Sequence, residues 1–146
     1  MGGIFGATLK TDCAIDVFYG TDYHSHLGTK RGGMAVYNEE RIAKSIKKIE
    51  NSYFRTKLGP DLPMFHGKNG IGVISDNDAQ PLIIGSHLGT FGIGTVAKIN
   101  NLYEIAGEAF RQRIHFSEAG GGEVASLFWK LVVVFNVALL ALSTLG

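Results

Sequence analysis

Residues 3–9 form a short apolar run at the start of the chain and read as a buried strand. The spacing changes over residues 13–26, where Ala14, Val17 and Phe18, with Leu27 beyond them, recur at helical intervals and predict a helix. A strand follows at 33–37. The stretch 41–49 is ambiguous, because Ile42, Ile46 and Ile49 fit one face of a helix without excluding a strand. Residues 51–58 predict a helix ended by Gly59-Pro60, with Asp61-Leu62-Pro63 as a loop. Strands are expected at 70–75, 82–84 and 91–99. Asn101 is suited to cap a helix over Leu102–Arg111. Ile4, Phe5, Ile71, Val73, Ile93 and Val96 are the side chains expected to lie buried on central strands.

Beyond the triplet Gly120-Gly121-Gly122 the pattern changes. Residues 127–145 hold one charge, Lys130, among Leu, Val, Phe, Ala and Trp. As a helix rising 1.5 Å per residue this stretch would be about 28 Å long, close to the hydrocarbon thickness of a bilayer. It is a candidate span, with a buried core helix as the other reading. Lys130 could snorkel to the headgroups beside Trp129. Arg111, Arg113 and Lys130 stand at its amino-terminal side and no basic residue follows, which would keep the preceding domain cytoplasmic. The chain therefore divides into a domain at 1–123 and an apolar tail at 124–146 that could contact a membrane.

Composition narrows the function classes. With 14 Lys+Arg against 13 Asp+Glu in 146 residues, the formal charge of +1 gives no electrostatic footprint for nucleic acid. One cysteine, Cys13, excludes an intrachain disulfide framework and suits a reducing compartment. Twenty glycines grouped at strand ends and turns fit an α+β domain with many tight connections.

Most small motifs reduce to structure. His24-Ser25-His26 has no carboxylate or cysteine at convincing ligand spacing, so no metal is expected. Gly28-Thr29-Lys30-Arg31-Gly32-Gly33 lacks the Gly-Lys-Ser/Thr order of a phosphate-binding loop and reads as a tight helix-to-strand turn. Arg41, Lys44, Lys47 and Lys48 read as a solvated face, with phosphate contact as the alternative. No cofactor is implied.

The first residues, Met1-Gly2-Gly3-Ile4-Phe5-Gly6, resemble the Met-Cys-Gly-Ile-x-Gly start of class II glutamine amidotransferases. The resemblance continues to about Glu123 and is to the amidophosphoribosyltransferases of purine biosynthesis. His26-Leu27-Gly28 followed by Gly33 is similar to that family's His-Arg-Gly-x-x-x-x-Gly, and Gly70-Ile71-Gly72 to the opening of a central strand. Ala79-Gln80-Pro81-Leu82 is similar to Ala-Gln-Pro-Phe, and Gly92-Ile93 through Asn101-Leu102 stands where the family has a strand leading into His-Asn-Gly-Asn-Leu. The resemblance implies a partial four-layer αββα sandwich of the Ntn-hydrolase type, here with a C-terminal hydrophobic helix. It also places strand structure near 41–49.

The same resemblance implies a degenerate site. In the family, a cysteine exposed by loss of Met attacks the glutamine amide with its own α-amino group as base. That position is Gly2, and the nearby Thr8 and Cys13 are internal. The substrate-clamping arginine falls at Ser75, the oxyanion pair at Ile99 and Asn100, and the amine-binding aspartate near Gly121. His26 and Gly28 are kept near the pocket. Two readings follow. One is a pseudoenzyme with a structural or regulatory binding role, partnered by a phosphoribosyltransferase domain or another protein. The other is an active amidotransferase that recruits Cys13 or His26, or in which Gly2 replaces a native cysteine.

Overall fold

The computed structural model describes residues 2–27, 30–76, 78–86, 89–96 and 100–111. Its main element is a four-stranded antiparallel sheet in the order β1 (Gly3–Thr8), β4 (Asn69–Ser75), β2 (Arg31–Tyr37), β3 (Ile42–Lys48). A second, two-stranded sheet pairs β5 (Leu82–Ser86) with β6 (Gly89–Ile93). The helices are α1 (Ala14–Tyr23), the single-turn α2 (Phe54–Leu58) and α3 (Leu102–Arg111). The chain is thus a mixed α/β fold with antiparallel sheets.

Glycines set how closely α1 lies on the sheet. A Cβ on Gly70 would come within 2.8 Å of Val17 and 3.2 Å of the Cys13 sulfur, and one on Gly72 would run into Thr21. The two glycines are two apart and so share one face of β4, giving α1 a smooth floor. Side chains of Met34, Val36 and Ile74 fill the rest of that face, and Val17, Phe18, Phe54, Leu58 and Phe65 close over them. Phe18 and Phe54 meet with ring centroids 5.6 Å apart.

On the other face of the sheet, Gly94, just past β6, packs against Val73 and Ile71. Val73 and Ile93 are buried as expected, while Phe5 and Ile71 are half-buried. Ile4 and Val96 correct the sequence reading, at 41% and 42% exposed. β1 is an edge strand whose burial alternates along its length, and Val96 lies beyond β6, which ends at Ile93 rather than near residue 99.

The ambiguous stretch 41–49 is strand. Seven residues of β3 pair antiparallel with β2, from Arg31 against Lys48 to Tyr37 against Ile42. As an edge, β3 carries exposed Lys44 and Lys48, the kind of charge that discourages a further strand from adding there. The helix expected at 51–58 is confined to Phe54–Leu58, and the chain then runs on into a 3-10 helix at Gly59–Met64 instead of an open loop. Pro60 sits in its first turn, where the missing N–H is not needed. The helix expected at 127–145, together with Gly28, Ile99 and Gly121, lies outside the described residues.

Asp61 clasps this 3-10 helix to β3. Its carboxylate accepts the Ser45 hydroxyl at 2.5 Å and pairs with the Lys47 ammonium at 2.8 Å. Those two contacts, that of Lys47 first, hold the Asp61 carboxyl below its ordinary value of 3.8. A depressed folded-state value means the clasp contributes fully above the unfolded value and is lost as pH falls through the folded one. Asp61→Asn should therefore lower stability at neutral pH and flatten the loss of stability below about pH 4, read from denaturant midpoints across the acid range. An unchanged acid limb would show that the clasp contributes nothing.

Candidate functional site

Gly2 leads into the edge strand β1, whose first residue, Gly3, pairs with Ile74. The approach is close. A Cβ built on Gly2 would run into the Ile74 carbonyl oxygen, with the Ile74 carbonyl carbon and Val96 Cγ1 each at 3.2 Å. The first two of those atoms are backbone on the strand next to β1 and cannot swing aside. Position 2 therefore lacks a side chain, and the space for one.

Ser75 ends β4, is 8% exposed and stands in register with Arg31 of β2. Directly opposed residues of an antiparallel pair share a face, so the side chains of Ser75 and Arg31 leave the sheet on the same side as Val73. Asn100 lies in an exposed turn ahead of α3. His26 is exposed in the 3-10 turn Ser25–Leu27 that follows α1, edge-on to Tyr23 at 5.9 Å. Among the described residues, the imidazole against the start of β1 is instead that of His24. A Cβ on Gly3 would lie 2.6 Å from His24 Cβ and 3.3 Å from its Nδ1. The sequence displayed both histidines, but only the packing of the α1 end on Gly3 distinguishes them.

Gln80 is a buried polar residue that its motif did not mark as part of a site. It is 5% exposed, and its side-chain oxygen accepts the Thr95 backbone N–H at 2.5 Å. Its own carbonyl lies hard against Gly33 of β2. Gln80, which precedes a cis peptide to Pro81, thus ties the chain beyond β6 to the main sheet at Gly33, the residue in register with Val73. Any larger residue at 33 would push this brace away.

Cys13 is fully buried immediately before α1. Burial, with the negative charges of Asp12 and Asp16, pushes its thiol up to about 11. It is a thiol at neutral pH, and thiols are poor nucleophiles.

With that geometry in view, two solved structures are similar to the chain across 99% of its length. One is described as the allosteric regulatory enzyme of purine biosynthesis, at 17% identity and a TM-score of 0.75. The other is the glutamine phosphoribosylpyrophosphate amidotransferase from B. subtilis complexed with ADP and GMP, at 18% identity and a TM-score of 0.75. The chain covers 32% of each, so it spans about a third of their length. At these identities the likeness establishes a shared fold. No protein-family model matches the sequence, and no curated protein sequence matches it either.

Proposed function

We propose that the chain is a glutamine amidotransferase-like domain related to amidophosphoribosyltransferase that has lost glutaminase activity and serves a structural or regulatory binding role. The observation that carries this reading is the contact between Gly2 and the Ile74 carbonyl, which leaves the nucleophile position neither a reactive atom nor room for one. Ser75 adds support, since a serine cannot form the bidentate charged pair that an arginine makes with a carboxylate. In this reading residues 1–123 are the amidotransferase-like unit and residues 124–146 an apolar tail. A phosphoribosyltransferase domain or another cytoplasmic protein is the partner class, and the tail is the segment available for membrane contact.

The alternative, an enzyme working through Cys13 or His26, is disfavoured by the burial and high pKa of the Cys13 thiol and by the exposure of His26. An ammonia-release assay separates the two. The chain incubated with L-glutamine is expected to give no more ammonia than buffer alone. Turnover abolished by Cys13→Ser or His26→Ala would establish the alternative instead.

A further inference from the structure

At the far end of β1, about 20 Å of strand away from Gly2, a half-open pocket of about 440 Å³ lies between the start of α1 and the 3-10 helix Gly59–Met64. Ile15, Leu62, Pro63 and Phe65 line it with hydrocarbon, and Asp12 and His66 supply its polar rim. Its volume falls within the range of small-molecule sites, about 300–1,000 Å³. Nothing in the amidotransferase reading uses it.

Asp12 is the one carboxylate among the lining residues. One of its carboxylate oxygens accepts the Ala14 backbone N–H at 2.8 Å, and the other meets His66 Nδ1 at 3.1 Å. Burial pushes the Asp12 carboxyl up, but the Ala14 N–H, the His66 ring and the Gly67 backbone N–H outweigh it and hold the group below the usual carboxylate range. The carboxylate is fixed and ionised at neutral pH, yet its side chain is 48% exposed. A carboxylate accepts up to about four hydrogen bonds, so with Ala14, His66 and Gly67 on it an acceptor site remains for a ligand. Asp16, one turn further along α1 and exposed, adds negative charge on the same flank of the helix. Apolar walls with a fixed anion at the rim select a ligand of matching form: an anionic head group would be repelled, and a neutral hydroxyl could donate a hydrogen bond but would lack the ion–ion attraction that an ammonium adds.

We propose that this pocket binds a small primary amine on an apolar alkyl or aryl body, the hydrocarbon against Ile15, Leu62, Pro63 and Phe65 and the ammonium on the Asp12 carboxylate. The test uses the full chain, titrated with hexylamine, 1-hexanol and hexanoate and followed by calorimetry and backbone amide shifts. Hexylamine should bind at least about tenfold more tightly than 1-hexanol, hexanoate should bind weakest, and the shifts should centre on Ile15, Leu62 and Phe65. Asp12→Asn keeps an oxygen to accept the Ala14 N–H, so the start of α1 stays capped. It should bring hexylamine down to the affinity of hexanol. Ile15→Arg, at a position 60% exposed and thus tolerant of change, places a cation in the mouth and should abolish amine binding. Equal binding of amine and alcohol, an amine preference that survives Asp12→Asn, or no response at the pocket amides would each overturn the proposal.

Discussion

Phe54→Ala should be the most damaging single substitution in the domain, at about 3–5 kcal/mol. Phe54 is fully buried, its ring meets Phe18 at 5.6 Å, and it occupies the hollow above Gly32 that a Cβ there would enter, 2.6 Å from its ring. Ile74 closes the other side of that hollow. Truncation removes the ring's transfer free energy and opens a cavity bounded by a sheet, which cannot collapse, and by α1, which is already seated on Gly70 and Gly72. Domains of this size are stable by about 5–15 kcal/mol. Urea unfolding followed by far-UV circular dichroism should therefore find the variant close to its unfolding threshold at 25 °C. A loss below about 1 kcal/mol would place Phe54 outside the core.

Gly72→Ala should destabilise by at least about 1–3 kcal/mol, although it adds one methyl group. The new Cβ would collide with the Thr21 hydroxyl and lie 2.7 Å from Thr21 Cβ. Thr21 cannot give way cheaply. It is 1% exposed, and its hydroxyl donates to the Val17 carbonyl at 2.6 Å inside α1. Either α1 lifts from the sheet or that hydrogen bond is lost. The effect is pairwise, so Thr21→Ala should recover part of the loss in a double-mutant cycle. Gly85→Ala is the control, because nothing lies within 4 Å of a Cβ there. If Gly72→Ala and Gly85→Ala are equally mild, the close seating of α1 on β4 is wrong.

What the sequence revealed follows the range of the interactions involved. β4 and α1 were legible because their apolar spacing is local and strong. β3 was not, since Ile42 and Ile46, four apart, share a face in a helix and in a strand alike. Its pairing with β2 decides the matter, and that is a contact between distant residues. Ile4 looked like core from composition, but its exposure depends on β1 being an edge. At the candidate site, the glycine at 2 and the serine at 75 could be read directly. The closeness of Gly2 to Ile74 could not, because a glycine does not record why it is small. The pocket at Asp12 was invisible because it is assembled from residues 12–15 and 59–66, which meet only in the fold.

Ammonia release from L-glutamine by the Gly2→Cys variant with Met1 removed tests most directly the proposal that position 2 is lost as a site and not merely missing one atom. A cysteine there must displace the Ile74 carbonyl, and in the proposed reading Ser75 stands where a substrate-clamping arginine would be needed. The expected result is release indistinguishable from the unsubstituted chain. Turnover at about 1 per second or faster, an ordinary enzymatic rate, would contradict the account and show that one sulfur atom was all the site had lost.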